Sequence, residues 1–243
     1  MKKILSNAEI ESLGSMLVDH YFCGTQYDKE WVDIDALVQD YLGLRVVYVE
    51  IKEKDMDKIG FLADGEMSVL IHEYGEVRRV CYPENTIVLD RHLLRASENT
   101  KRRFTLAHEA GHYILNRARG LKAQGAFNTS PYNYRDVNLD VLMDTCNLEE
   151  IQANRIAAVL LMPEGLLDQE MLKMLGKTYL PLYGGNLISP ADKAGIEQII
   201  SHLQVSYSAF FNRIRELGKT EVRPQEELLQ MLFGSQEAGY EPW

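Results

Sequence analysis

Apolar residues recur along the chain at two different periods, and each period predicts a different kind of element. Ile10, Leu13, Leu17 and Tyr21 fall three or four residues apart, the spacing of one helix face. Ser6 and Glu9 precede them as a capping box, in which hydroxyl and carboxylate each satisfy a free backbone N–H. Ile34, Leu37, Val38 and Tyr41 mark a second helix, with Gly43 as its stop. The period then shortens. Arg45–Ile51 is rich in valine and reads as a strand. Three more short strands follow at 60–65, 67–72 and 77–82, divided by turns at Asp64-Gly65 and Tyr74-Gly75. Thr86–Asp90 is a further strand; at a sheet edge it could hold an extended peptide by backbone pairing, whereas in the core it could not.

Helical spacing returns at residues 102–116, where Phe104, Ala107, Gly111, Ile114 and Leu115 form a stripe without an interrupting proline. Arg102 and Arg103 fall on another face, so burial on one side is expected. Residues 149–163 form another helix, on which Glu150, Ala153, Asn154, Ala157 and Leu161 share a face. Its alanines permit a close approach to the first. The connection between them, 117–147, is long and carries Gly120, Gly125, Tyr132 and Tyr134, which fits a functional lid. Beyond Pro163 the texture is helical over 166–175 and 194–203, with a break at Tyr183-Gly184-Gly185-Asn186 and at Pro190. Residues 202–218 resemble a helix-turn-helix, turning through Val205-Ser206 with Ser206 as the next helix cap. A last apolar patch spans 228–233. The expected fold is α+β: residues 1–176 carry a small mixed sheet with two facing helices, and 177–243 are a helical C-terminal region.

Charge narrows the partners. A net charge of −10 over 243 residues argues against non-specific nucleic-acid binding, which depends on neutralising phosphates. Residues 189–220 hold four bases (Lys193, Arg213, Arg215, Lys219) and three acids (Asp192, Glu197, Glu216), a net of +1 that gives only weak support to DNA binding. No apolar signal-peptide core follows Lys2 and Lys3, and the longest apolar run, 156–162, is too short to span a bilayer. The chain is therefore expected in the cytoplasm, away from membranes. Cys23, Cys81 and Cys146 are odd in number and irregular in spacing, as reduced thiols would be.

The chemistry lies in His108-Glu109-Ala110-Gly111-His112, an H-E-x-x-H run. On a helix, residues four apart have Cβ atoms about 6 Å apart, so His108 and His112 can reach one metal ion. Glu109, turned about 100° from His108, lies near the ion and can take a proton from water that the metal activates. A catalytic zinc needs three protein ligands and an open position, and Glu150 on the second helix is the candidate third. Asn154, one turn on, could accept the Nδ1 proton of a ligand histidine and fix its tautomer. Glu150 could otherwise serve as a capping acid behind Asn147; Glu149 and then Cys146 are the fallback ligands. Histidine and carboxylate donors suit zinc and also manganese. Tyr132 and Tyr134 are candidate oxyanion donors or loop-packing residues, while His72, Glu73 and His92 read as structural.

The runs Arg-Phe-Thr-Leu-Ala-His-Glu-x-Gly-His and Glu-x-x-Ala-Asn-Arg-x-Ala-Ala-x-Leu-Leu-Met-Pro resemble the ImmA/IrrE family of bacterial metallo-endopeptidases, most specifically over residues 86–163. Two departures are Ile156, where Phe is usual, and Gln152, where Glu is common. The resemblance implies a gluzincin-like zinc peptidase core with His108, His112 and Glu150 as ligands and Glu109 as catalytic base. It also implies a protein substrate, such as a helix-turn-helix transcriptional repressor. The rival expectation is a metal-binding regulator acting through residues 202–218.

Overall fold

The computed structural model describes residues 4–24, 30–52, 58–121, 127–129 and 145–234. Helix α1 (Asn7–Gly24) opens on the anticipated capping box: Glu9 N–H donates to Ser6 Oγ at 3.2 Å, and Ser6 N–H donates to the Glu9 carboxylate at 2.8 Å. A short α2 (Ile34–Ala36), capped by the Asp33 carboxylate, runs on as a π-type turn over Leu37–Tyr41. Gly43 then takes a φ of +70°, a region that costs a side chain energy and glycine little.

Six strands follow the order β4-β3-β1-β5-β2-β6, with β1 Arg45–Ile51, β2 Lys58–Leu62, β3 Ser68–Glu73, β4 Glu76–Cys81, β5 Thr86–Asp90 and β6 Phe127–Thr129. Only β1 and β5 run parallel; the other pairings are antiparallel. The β3–β4 hairpin turns through Tyr74 and Gly75, both at positive φ (54° and 83°), the geometry that matches strand twist in a two-residue loop. β5 lies between β1 and β2. Of the two readings of Thr86–Asp90, edge or core, the sheet order selects the core: its backbone is paired on both sides and cannot take up an extended peptide. Its unbroken apolar run has the same cause. Ile87 and Leu89 face the main core, while Val88 joins a smaller cluster with Phe61, Val69 and Ile71 on the other face.

The main core lies between the sheet and two long helices, α3 (Asn99–Ala118) and α4 (Thr145–Leu161). Burial of α3 runs unbroken from Arg103 to His112, not along one face as expected. Arg103, on the face expected to be open, is buried with the rest. Its guanidinium donates to the carbonyls of Val32 (3.0 Å), Leu203 (3.4 Å) and Gln204 (3.3 Å) and lies 4.9 Å from the centre of the Trp31 ring. Its Nε and Nη2 are thus met by backbone oxygens, with no carboxylate partner among the described residues. Arg102 forks onto Asp35 at 2.7 and 2.9 Å and also reaches the Tyr48 hydroxyl.

After α4 come α5 (Glu164–Leu175), β7 (Leu180–Tyr183), α6 (Pro190–Leu203), α7 (Tyr207–Glu216), β8 (Thr220–Arg223) and α8 (Gln225–Phe233). Ser206 caps α7 as anticipated, accepting from Ala209 N–H. The parallel β7–β8 pair was not anticipated; it draws the ends of this region together. Residues of α5, α6 and α7 such as Leu167, Ile199 and Phe210 belong to the same apolar cluster as α3 and α4. Buried Arg213 of α7 binds Glu11 of α1 with both terminal nitrogens at 2.6 Å and the Met162 carbonyl through Nε. Among the described residues no helix is long and apolar enough to cross a membrane.

Helices α3 and α4 touch where α3 has no side chain. A Cβ at Gly111 would stand 2.9 Å from the Ala153 carbonyl oxygen and 3.3 Å from Ile156 Cγ2. Gly111→Ala is therefore expected to push the helices apart, costing about 1–3 kcal/mol as an overpacked core position. Thermal unfolding checks this: an unchanged or raised midpoint would show that the contact has slack.

Candidate metal centre

One turn of α3 separates His108 from His112, and the close crossing with α4 sets Glu150 opposite them. The Nε2 atoms of the histidines are 3.0 Å apart. Glu150 spans both, with Oε2 3.2 Å from His108 Nε2 and Oε1 3.3 Å from His112 Nε2. Asn154, one turn further along α4, sets its Oδ1 2.8 Å from His108 Nδ1. An amide oxygen only accepts, so His108 donates to it from Nδ1, which leaves Nε2 as the nitrogen that could ligate a metal. His108 is fully buried and His112 nearly so, while 30% of the Glu150 side chain remains exposed.

Protons act as the positive charge that such a cluster needs. Burial pushes the Glu150 carboxyl up, but hydrogen bonds from His108 and His112 outweigh it and hold the carboxyl down at about 2. For His112, burial disfavours the charged imidazole. The Glu150 hydrogen bond, with the charges of Glu109, Glu150 and Glu149, overcomes this and raises its pKa above the ordinary 6.5. Two imidazole nitrogens and a carboxylate that gather positive charge at one point suit a divalent cation. Their ligand atoms all lie within 4.8 Å of one another, the one such group among the described residues.

Glu109 is fully buried on α3, near enough to contribute to the His112 shift. Glu149 turns elsewhere, its carboxylate 3.4 Å from Arg119 Nη1. Asn147 lies in α4, which begins two residues earlier, and its side chain is outside the described residues. Tyr132 and Tyr134 and the Cys146 side chain lie outside the described residues. The remaining histidines have local partners: His20 with the Tyr41 hydroxyl, His72 with Glu50, His92 with Asp90 and His202 with Glu170. Sequence reasoning does not reach Arg119. An arginine between Ala118 and Gly120 carries no motif, and only the fold sets it beside Glu149 and Gln152.

No curated protein matches the chain. The profile of the Peptidase_M78 family, described as the IrrE N-terminal-like domain, matches residues 39–215, a span that contains α3, α4 and every residue of the cluster. The chain belongs to this IrrE N-terminal-like peptidase family.

Proposed function

We propose that the protein is a zinc-dependent endopeptidase, gluzincin-like in drawing its third ligand from a second helix. The observation that carries this reading is the convergence of His108, His112 and Glu150 beside buried Glu109 in a chain of a peptidase family. His108 and His112 would hold the ion through Nε2 and Glu150 through its carboxylate, with Asn154 fixing the His108 tautomer. A zinc ion supplies Lewis acidity there, polarising the scissile carbonyl and making a water molecule easier to deprotonate; manganese would suit the same donors. Glu109 takes the proton from the attacking water and passes it to the leaving amine. Its burial keeps it from bulk water, and its place one residue after His108 keeps it beside the reacting atoms.

The substrate is a protein, and the family resemblance points to a regulatory one such as a transcriptional repressor. In this reading residues 1–176 carry the chemistry, because all the donors precede residue 176, and 177–243 brace it and offer surface for substrate docking. Two of the four bases that could have suggested DNA binding are engaged inside the fold. Arg213 is buried on Glu11, and Lys219 pairs with Glu164 and Asp168 at 2.9 and 2.7 Å. Little positive charge is left on the helix-turn-helix-like segment to meet phosphates.

Two outcomes test the proposal. Glu109→Gln should keep zinc and lose cleavage by about 100- to 10,000-fold, the usual share of acid–base catalysis. New N-termini in a peptide library, read by mass spectrometry, check this; equal cleavage by variant and wild type would remove Glu109 from the mechanism. The second concerns pH. His112 must be neutral to ligate, and its raised pKa means that protons compete from above pH 6.5. Glu150, at about 2, stays ionised throughout. Zinc affinity should therefore be full in mild alkali and fall as pH drops through the raised His112 value. A zinc dissociation constant that is flat between about pH 5 and 8, the range over which histidine titrates, would contradict the assignment of His112.

A further inference from the structure

Two adjacent carboxylates lie near the start of α4, and the helix separates Glu149 from Glu150 by about 100°. Which of them meets the histidines depends on how α4 is rotated about its axis. The rotation has a visible anchor. Arg119, at the end of α3 and only 3% exposed in its side chain, reaches Glu149 Oε1 through Nη1 at 3.4 Å. Its other terminal nitrogen donates to Gln152 Oε1, and Gln152 Nε2 in turn donates to the Leu5 carbonyl at 2.5 Å. Arg119 Nε is buried with no partner, so among the described residues the guanidinium is held through its fork alone. Glu149 and Gln152 are three apart and share one face of α4; Glu150 and Asn154 are four apart and share the face toward His108.

We propose that Arg119 is a positioning residue that selects Glu150 over Glu149 as the third metal ligand. By drawing Glu149 and Gln152 toward the end of α3, the fork fixes the rotation of α4 that turns Glu150 and Asn154 to the histidines. A planar two-armed donor holds both side chains at once, which a lysine, a single point charge, does only in part. The role also accounts for Gln152. Its amide accepts from Arg119 and donates to Leu5, tying the N-terminal segment to the same anchor, whereas a glutamate there would set its oxygen against the Leu5 carbonyl. The inference rests on the zinc-site reading above.

The test is the zinc dissociation constant, by chelator competition, together with the visible spectrum of the cobalt-loaded full chain. Arg119→Met should bind zinc about 10- to 100-fold more weakly, as loss of an outer-shell partner does, and should shift the cobalt bands. Arg119→Lys should recover part of the loss. A purely structural arginine would not produce one further result. In the native background Glu149→Gln should change affinity little, because the fork still holds Gln152. In the Arg119→Met background the same change should cost about tenfold more, because a released Glu149 has begun to share the metal. Native zinc affinity and an unshifted cobalt spectrum in folded Arg119→Met would overturn the proposal. If that variant does not fold, the same native values in Arg119→Lys would overturn it. A native chain that binds no zinc would instead overturn the site reading and take this inference with it.

Discussion

Three lone-pair donors must be held within a few ångströms of one another, an arrangement that electrostatics opposes until a positive charge sits among them. Much of the fold answers to this requirement. Helix α3 can present two histidines by its own periodicity, but the third donor has to arrive on another helix. It arrives only if the two backbones nearly touch, and Gly111 against the Ala153 carbonyl is that touch. The small residues Ala153 and Ala157 extend the contact along α4, and Ile156 packs its branched side chain at the crossing where a larger aromatic would need more room.

Around this crossing, buried arginines each hold a different part of α3 or α4 in place. Arg103 ties the start of α3 to the turn between α6 and α7 and to the loop before α2. Arg119 ties the end of α3 to α4, and Arg213 ties α7 to α1 while reaching the carbonyl that ends α4. A buried guanidinium is costly to desolvate, and its hydrogen bonds hold it in a fixed direction. These contacts therefore act as specific fasteners that hold one relative placement of the helices. The C-terminal region thus packs into the same apolar core as the site.

The legible part of this structure was local. The Ser6–Glu9 and Ser206 caps, β1, the Tyr74-Gly75 turn, and the helices carrying His108, His112, Glu150 and Asn154 all follow from short-range rules. The structure brings those four side chains together. What could not be read was non-local. β5 has the same sequence pattern whether it is an edge or a centre, and only the sheet order decides. Arg103 sits in a position that reads as solvent-facing, because nothing in the sequence announces that three distant carbonyls will receive it. β7 and β8 are four residues each, one with a proline, and pair in parallel across a gap that local periodicity does not bridge. The Arg119 anchor joins the end of one helix to another helix and to Leu5, so no window of sequence contains it.

If His108, His112 and Glu150 together form one metal site, removing Glu150 removes the ion. The most direct measurement is the metal content, by mass spectrometry, of native protein and Glu150→Ala after dialysis against metal-free buffer. One equivalent of zinc in the native chain, largely lost in the folded variant, is the predicted result. Equal metal in both proteins, or none in the native chain, would contradict that site.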